Sequence, residues 1–326
     1  MTQAVPMAEV WRGPFLESVH SGHAVVCDEA GEIVQAWGDP EAIVLSRSSS
    51  KMVQALPLLR SGAAAACGLT SEQLALACAS HKGAAIHTTR VQAWLDALGL
   101  QDADFRCGPQ EPTDLAARNG LVKTDASPCQ FHNNCSGKHA GFLTLTKYLK
   151  AGPEYVDPDH PVQQQVRATY EEVTGEVAPG FGIDGCSAPN FASSLHGMAR
   201  AMARFAAAPE GSPEAQLHQA MRLHPELVAG EGRACTLLMR AMEGKVAIKT
   251  GAEGFFTVVA PERKLGIALK ISDGATRASE CAIAAILVKL GLLEPDHPAT
   301  QTVLNAPIRN RAGLQTGWLR AAPPLL

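Results

Sequence analysis

Arg47-Ser48-Ser49-Ser50-Lys51 places a hydroxyl and an amine three residues apart, directly after a short apolar run. Residues i and i+3 share one face of a helix, so Ser48 and Lys51 can touch if a helix begins here. A serine hydroxyl becomes a strong nucleophile when a base takes its proton. A lysine can be that base when it is uncharged, which burial and a neighbouring cation such as Arg47 favour. The stretch therefore predicts an activated serine.

A second motif, Lys249-Thr250-Gly251, follows much later in the chain. The order S-x-x-K and then K-T-G is typical of serine β-lactamases and penicillin-binding proteins. Either motif alone is weak, because S-x-x-K often occurs by chance as a solvated first helical turn. Both motifs in this order favour a serine hydrolase.

Short β-rich runs lie near both ends of the chain. At the front, residues 23–27 and 32–37 flank Asp28-Glu29-Ala30-Gly31, whose Asp and Gly favour a tight reversal, so a hairpin is predicted. Near the other end, Gly- and charge-bearing turns separate three further runs and predict a meander of strands at 246–249, 255–259 and 265–271.

Mostly helical patterns lie between these two sets of strands. Thr70 and Gln73 form a capping box, and apolar periodicity predicts helices at 91–98, 136–149, 161–173, 189–207, 233–242 and 277–290. The expected fold class is mixed α/β (α+β), with one antiparallel sheet built from both ends of the chain against a helical lobe. This order resembles the serine β-lactamase architecture. We expect one catalytic unit whose sheet part covers roughly 1–46 and 244–326, with the helical lobe at 47–243. The final Ala321-Ala322-Pro323-Pro324 is expected to fray.

Composition excludes several classes of function. The 326 residues carry a formal net charge of −4, and no run of Lys and Arg forms a stripe that could follow nucleic acid. No apolar stretch approaches the roughly 20 residues that a spanning helix needs, and residues 1–10 lack the pattern of a secretory signal. Nine cysteines without an export signal favour reduced thiols or metal ligands over disulfides. A cytoplasmic protein that binds neither membranes nor nucleic acid is expected.

His132-Asn133-Asn134-Cys135-Ser136-Gly137-Lys138-His139 concentrates polar and soft-ligand groups in a loop that opens a helix. A second thiol, Cys186, lies in a Gly-flanked turn that also contains Asp184. Two cysteines and a nitrogen ligand suit zinc, and ligand statistics favour His139 over Lys138, because a lysine must lose its proton to bind a metal. Buried structural cysteines or a redox pair are the alternatives.

Cys78-Ala79-Ser80-His81-Lys82-Gly83 ends an apolar helix with another serine. Cationic residues followed by Gly are ordinary helix C-capping, which is one interpretation of this segment. In the other, Ser80 forms a second hydroxyl–amine pair with Lys249 and carries a proton to a leaving group.

These motifs together resemble the rhizobial-type, or class 3, L-asparaginases over nearly the whole chain. The specific parts are Asn-Asn-Cys-Ser-Gly-Lys-His at 133–139 and Lys-Thr-Gly-Ala-Glu-Gly at 249–254, with support from Asp184-Gly185-Cys186 and from the segment His224-Pro225 to Thr236. The resemblance implies a β-lactamase-like fold, a homodimer, and hydrolysis of L-asparagine to L-aspartate and ammonia.

The same resemblance implies roles for individual residues. It pairs Ser48 with Lys51 and Ser80 with Lys249 as catalytic groups, and it implies a zinc ion near the active site that is held by Cys135, Lys138 and Cys186. His139 is kept as the alternative nitrogen ligand. We expect the substrate to be bound by Arg47, Asp184 and Gly251.

Three other functions fit parts of the pattern. A serine β-lactamase or peptidase-like hydrolase shares the order of the motifs, although such enzymes act on periplasmic substrates. A non-enzymatic zinc or thiol sensor on the same fold would explain the cysteines. Glutaminase differs by one substrate methylene, which a pocket discriminates by only about 1–3 kcal/mol.

Overall fold

The computed structural model describes residues 3–326 and divides them into two compact units. The first, here called the sheet unit, contains the segment that ends at Ser49 together with Ser193–Ala207 and Ala234–Leu326. The second, the helical unit, contains Ser50–Ala192 and Ala208–Arg233. The chain thus passes from the sheet unit to the helical unit inside the serine motif, between Ser49 and Ser50.

The strands are distributed as the sequence predicts, near the two ends of the chain, with two short strands between. They are β1 Val5–Arg12, β2 Phe15–Cys27, β3 Ile33–Trp37, β4 Ile43–Leu45, β5 Phe181–Ile183, β6 Pro189–Ser194, β7 Ala247–Gly251, β8 Phe255–Ala260, β9 Leu265–Ile271, β10 Pro307–Arg309 and β11 Gln315–Ala321.

Within the described chain, eight strands form one sheet in the order β10-β11-β1-β2-β9-β8-β7, with β3 paired to β2. The predicted hairpin is confirmed by the β2–β3 pairing, and the predicted meander by β7, β8 and β9, each antiparallel to the next. The two ends of the chain meet where β1 pairs with β11 and β2 with β9. The predicted mixed fold class, with an antiparallel sheet assembled from both ends, is confirmed.

Helices account for most of the remaining chain. They are α1 Lys51–Arg60, α2 Ala63–Ala66, α3 Ser71–Ala77, α4 Ala85–Leu98, α5 Leu115–Lys123, α6 Ser136–Tyr148, α7 Pro161–Thr174, α8 Leu195–Ala207, α9 Pro213–Leu223, α10 Pro225–Val228, α11 Ala234–Ala241, α12 Thr276–Lys289 and α13 Pro298–Leu304. The capping box predicted at Thr70 and Gln73 is confirmed at the start of α3.

Each unit has its own core. In the sheet unit, α8 and α12 pack on the strands, and Gly266 of β9 approaches the α8 backbone so closely that no Cβ would fit there. In the helical unit, α1 packs against α6, α7 and α9 and is buried along most of its length. The helix that begins at Lys51 is therefore held from several sides.

Three expectations from the sequence differ from the structure. The helix predicted over 189–207 is wrong in its first third, because Pro189–Ser194 forms β6 and the helix begins at Leu195. That helix, α8, belongs to the sheet unit, although its residues fall inside the predicted lobe at 47–243. The expected fraying of 321–324 is also wrong: Ala322 is buried, Leu325 is 1% exposed, and the indole of Trp37 donates to the Pro324 carbonyl (2.8 Å).

A membrane-spanning segment was not found. No helix within residues 3–326 has both the length and the hydrophobicity that crossing a bilayer requires.

Candidate active site

Lys51 is the centre of the polar cluster in the helical unit. It is the first residue of α1 and only 1% exposed. Its Nζ donates to the Ala79 carbonyl, lies 3.0 Å from Ser80 Oγ and lies 3.1 Å from Cys135 Sγ. One buried amine therefore connects the start of α1 with the segments that carry Ser80 and Cys135.

Ser80 is held in place by its backbone. The chain leaves α3 at Ala77, after which the Ser80 N–H donates to the Val228 carbonyl (2.8 Å) and the His81 N–H donates to the Asn134 carbonyl (3.1 Å). These bonds fix the segment from both sides, so the Ser80 hydroxyl is presented to Lys51 by a rigid loop.

Cys135, Lys138 and Cys186 form a second group, here called the thiol–amine cluster. Cys135 is the N-cap residue of α6, and Lys138 lies one turn further along the same helix face. Cys186 comes from the turn between β5 and β6, where its Sγ accepts from Lys138 Nζ at 2.9 Å. All three side chains are at least 96% buried.

The charges in this cluster are unequal. The interaction with the neighbouring Cys135 side chain, followed by the positive charge of Lys138, lowers the pKa of Cys186 well below its usual value, although burial opposes this. The same interaction and burial raise the pKa of Cys135 well above its usual value, and Cys135 Sγ donates to Asn134 Oδ1 (3.0 Å). Burial alone would lower the pKa of Lys138, but the sulfur atoms of Cys186 and Cys135 outweigh it and the pKa is raised. These shifts favour the thiolate form of Cys186, the thiol form of Cys135 and the ammonium form of Lys138.

His139 contacts the cluster from the side. Its Nδ1 lies 2.9 Å from the Tyr155 hydroxyl, which already accepts from the Arg106 N–H (2.8 Å), so Tyr155 donates to Nδ1. Burial, and then the charge of Lys138, lowers the pKa of His139 to about 4. Its Nε2 forms no regular hydrogen bond with any residue in 3–326, yet His139 is close enough to Cys186 to lower the pKa of that thiol. His139 therefore supports the thiolate as a neutral imidazole.

The thiol–amine cluster fits the donor set that zinc prefers. Two sulfur atoms and an amine converge, and thiolates are soft ligands that select zinc among the common divalent ions. Within residues 3–326 no group of three or more His, Cys, Asp and Glu side chains is arranged for a metal. The nitrogen ligand, Lys138 or His139, stays a prediction.

Asp184 shapes the turn that carries Cys186. Its carboxylate accepts from the Gly185 N–H (2.6 Å), and its carbonyl accepts from the Ser187 N–H (2.8 Å). Ser187 has a φ of +69°, in the left-handed region, which tightens the turn. Asp184 is half-buried, and its negative charge contributes to the raised pKa of Lys138.

The serine motif lies against the Lys-Thr-Gly strand in the sheet unit. Ser49 Oγ donates to the Lys249 carbonyl (2.9 Å), and Thr257 Oγ1 donates to the Ser49 carbonyl (3.0 Å). A Cβ at Gly251 would lie 2.6 Å from the Ser46 carbonyl oxygen and 2.8 Å from Ser49 Oγ, so only glycine permits this approach. The sequence-distant motifs at 46–49 and 249–251 are therefore neighbours.

Two further features lie next to this contact, one in the backbone at Arg47 and one in the Lys249 side chain. Arg47 has a φ of +50°, in the left-handed region, and opens the 3-10 turn Arg47–Ser50, in which Ser48 is half-buried. Lys249 is 1% exposed, and its Nζ donates to the Thr250 carbonyl (2.7 Å). A strained turn thus carries the predicted nucleophile, a feature that functional sites often have.

The structure joins some of the predicted residues and leaves other pairings as predictions. Lys51 contacts Ser80, which the sequence paired with Lys249. The pairs Ser48–Lys51 and Ser80–Lys249 each join residues of different units and stay predictions. Sequence reasoning did not identify Tyr155, because an isolated tyrosine between motifs carries no signal of its contact with His139.

A comparison with known protein families identifies the family of this chain. The L-asparaginase II family model matches residues 8–321, nearly the entire chain. The chain therefore belongs to the L-asparaginase II family, as the motif resemblance indicated. The comparison with curated proteins gave no match.

Similar solved structures have low sequence identity. One is Mglu in its tris and glutamate form, with 12% identity, a TM-score of 0.48, 91% of this chain covered and 64% of that chain. A β-lactamase from Mycobacterium bovis has 13% identity and a TM-score of 0.46, with 82% and 94% covered. A penicillin-binding protein homologue from Pyrococcus abyssi has 14% identity and a TM-score of 0.35, with 85% and 74% covered. The chain spans 64% of the length of the Mglu structure.

Proposed function

We propose that this protein is an L-asparaginase that hydrolyses the side-chain amide of L-asparagine to L-aspartate and ammonia. Family membership supports the reaction class. The observation that carries the proposal is the 3.0 Å contact between Lys51 Nζ and Ser80 Oγ, because Lys51 is also three residues from Ser48. The buried Lys51 amine thus contacts Ser80 and lies three residues along the chain from Ser48, and these are the two serines that the proposed acyl transfer uses.

In the proposed mechanism Ser48 is the nucleophile. Neutral Lys51 takes the Ser48 proton as the serine oxygen bonds to the amide carbon, and the carbon–nitrogen bond then breaks. Ser80, supported by Lys249 and Lys51, delivers a proton to the departing nitrogen, which leaves as ammonia. Positioned proton transfer of this kind contributes about 10²- to 10⁴-fold. Water then hydrolyses the β-aspartyl ester and restores Ser48.

The developing negative charge needs donors. We propose that backbone N–H groups at Ser48 and on the strand after Lys249 supply them. The contact of Ser46 and Ser49 with Gly251 and Lys249 supports this, since it brings the two backbones together. Each such donor is worth roughly 3 kcal/mol.

We further propose that Cys135, Lys138 and Cys186 hold a zinc ion. Zinc with three protein ligands keeps a position for water or a substrate group and supplies positive charge there. The bond-breaking steps are assigned to Ser48, Lys51, Ser80 and Lys249. The zinc would position the substrate through its α-amino and α-carboxylate groups, and we assign to Arg47, Asp184 and the backbone at Gly251 the remaining contacts with the substrate.

The homodimer implied by the resemblance and the cytoplasmic location expected from the composition are also proposals. Sedimentation velocity at micromolar concentration would test the first: a single species of twice the 34.3 kDa chain mass is expected, and a monomer would contradict it. Fractionation of the producing cell would test the second.

Ammonia release from L-asparagine, with L-glutamine and nitrocefin in parallel, tests the function. Ser48→Ala should lower kcat by about 10⁴-fold or more, since loss of a nucleophile removes the covalent route. Ser71→Ala is the matched control, because Ser71 also opens a helix but is exposed and bonded to His224 (2.8 Å). Asparagine turnover that survives in Ser48→Ala would contradict the proposal. Nitrocefin turnover alone would support the β-lactamase alternative, and zinc binding without turnover would support the sensor.

A further inference from the structure

His81 directly follows Ser80 and is 3% exposed. Its ring uses both nitrogen atoms: Nδ1 lies 3.1 Å from the Gly83 backbone nitrogen, and Nε2 lies 2.9 Å from Ser136 Oγ. The steps of the proposed reaction do not use this side chain.

The hydrogen bonds determine which nitrogen carries the proton. The Gly83 N–H can only donate, so Nδ1 accepts and carries no hydrogen. Ser136 Oγ donates to the Phe131 carbonyl (3.0 Å), which uses its single proton, so Ser136 must accept from His81 Nε2–H. His81 is thus a neutral imidazole in one tautomer. Burial, and then the neighbouring His87, lowers its pKa well below the usual value, in agreement with this state.

This ring joins two parts of the candidate site. Ser136 is the first residue of α6 and follows Cys135, while His81 follows Ser80. The His81–Ser136 bond and the bond from the His81 N–H to the Asn134 carbonyl together tie the Ser80 loop to the start of α6. Lys51 Nζ contacts Ser80 and Cys135, one on each side of this connection.

A second ring restricts the position of the first. His87 stacks on His81 with ring centroids 4.7 Å apart and planes 11° apart, and its Nε2 lies 2.9 Å from the Glu226 carbonyl. His81 therefore cannot rotate without breaking both of its hydrogen bonds and the stacking contact.

We propose that His81 is a positioning residue, which sets the distance from Ser80 Oγ to the Lys51 amine by tying the Ser80 loop to Ser136. Only the expected effect of His81 on turnover rests on the proposed function. The connection itself has a readout that does not depend on activity.

Two substitutions separate the two hydrogen bonds of the ring. In His81→Asn the short amide can accept from the Gly83 N–H but cannot reach Ser136, whereas in His81→Gln the longer amide can donate to Ser136. We expect His81→Asn to lower kcat by about 10- to 100-fold with KM changed less than about 3-fold, because a misplacement of about 1 Å costs that much. His81→Gln should recover most of the loss.

His218→Gln is the matched control. His218 is also buried in the helical unit, at 4% exposure, and lies in α9. We expect it to leave kcat unchanged. An equal kcat loss in His81→Asn and His218→Gln would overturn the proposal, because general destabilisation would then explain both.

A double-mutant cycle tests the route through Ser136. If His81 acts through that hydroxyl, the kcat of the double variant His81→Asn/Ser136→Ala should equal the kcat of the less active of the two single variants. A loss equal to the product of the two single losses would overturn the proposal.

Hydrogen exchange tests the connection without turnover. The amides of Ser80 and His81 should lose at least about 10-fold protection in His81→Asn and keep it in His218→Gln. Unchanged protection would overturn the proposal even if activity fell. If the unmodified protein releases no ammonia, the proposed function fails while this measurement still decides the role of His81 in holding the loop.

Discussion

At the scale of single residues, the protonation states of the thiol–amine cluster determine what it can bind. The lowered pKa of Cys186 favours its thiolate form, whereas the raised pKa values of Cys135 and Lys138 favour protonated forms. Binding of the proposed zinc should therefore release protons and weaken as the pH falls. Of the three proposed ligands, Cys186 needs the smallest change in protonation, and His139 can support it while keeping its hydrogen bond with Tyr155.

We predict different zinc contents for substitutions at the two candidate nitrogen ligands. Lys138→Met and Cys186→Ser should reduce bound zinc to less than about a tenth of a metal ion per chain. His139→Gln should keep most of the zinc and weaken its affinity by about 10- to 100-fold, the usual cost of losing a group that supports a ligand. Metal analysis after gel filtration measures this.

The opposite ranking, with zinc lost in His139→Gln and kept in Lys138→Met, would make His139 the ligand. Removal of zinc by a chelator should mainly raise KM for asparagine, because the metal is proposed to bind substrate. Loss of turnover at saturating substrate would contradict that role.

The sequence predicted much of the site but not its pairings. The density of Cys, Lys and His at 132–139 identified the cluster, and the S-x-x-K and K-T-G motifs identified segments that are neighbours in the sheet unit. The contact of Lys51 with Ser80 could not be read from spacing, since it depends on how α1 packs against α6 and on where the chain leaves α3. A contact between distant residues is a property of packing, and motif order does not encode it.

At the scale of elements, the close approach of α6 to α3 determines how Lys138 meets the rest of the site. Gly137 lies on the contact face, where an added Cβ would come within 2.8 Å of the Leu76 carbonyl carbon. The glycine is thus required by packing, and it lies between Cys135 and Lys138. Any displacement of α6 would move both of those side chains.

We predict that Gly137→Ala destabilises the protein by about 1–3 kcal/mol, because the methyl group forces α6 away from backbone that cannot yield. Gly120→Ala is the control: Gly120 is exposed in α5 with no atom within 4 Å of an added Cβ, so this change should stabilise by about 0.5–1 kcal/mol. Urea unfolding measures both. A neutral Gly137→Ala would show that α6 is free to move.

The strengths and failures of prediction at this scale have physical reasons. The hairpin and the meander follow from alternation and turn residues, which are local signals. Pro189–Ser194 was predicted as helix because Ala and Ser continue into a true helix at Leu195, while its strand state depends on pairing with β5. The sequence did not predict β1 because its burial does not alternate: Met7 and Ala8 are both buried, next to a register shift in the pairing with β2. The strand is defined by its pairing with both neighbours.

At the scale of the whole molecule, several histidines are buried without charge. Burial lowers the pKa of His218 and that of His139 to about 4, and it also lowers the pKa values of His81 and His87. In the unfolded chain each of these side chains would titrate near 6.5. These histidines therefore bind protons less readily in the folded protein than in the unfolded chain.

We predict that the free energy of unfolding falls as the pH is lowered from about 6.5 to about 4. Above about pH 6.5 these histidines are neutral in both states and stability is fully present. Between about pH 6.5 and 4 the unfolded chain binds protons that the folded chain refuses, so each such histidine lowers the free energy of unfolding by about 1.4 kcal/mol per pH unit. Urea unfolding from pH 8 to 5 should show this loss, and His218→Gln should reduce the slope by about one proton. An unchanged slope would mean that His218 accepts a proton in the folded state.

The register of β1, between β11 and β2, has a consequence for how the protein is made. Ala8 pairs with Ala321, so β1 lacks one neighbour until roughly 300 further residues have been added to the nascent chain. Ribosomes add about 5–20 residues per second, which leaves that edge uncovered for roughly 15–60 s. Both segments of the helical unit, Ser50–Ala192 and Ala208–Arg233, are made during that interval and can fold then. Synthesis in the cell should therefore depend on a chaperone that shields an incomplete sheet, and rare codons shortly before those for β11 would lengthen its exposure.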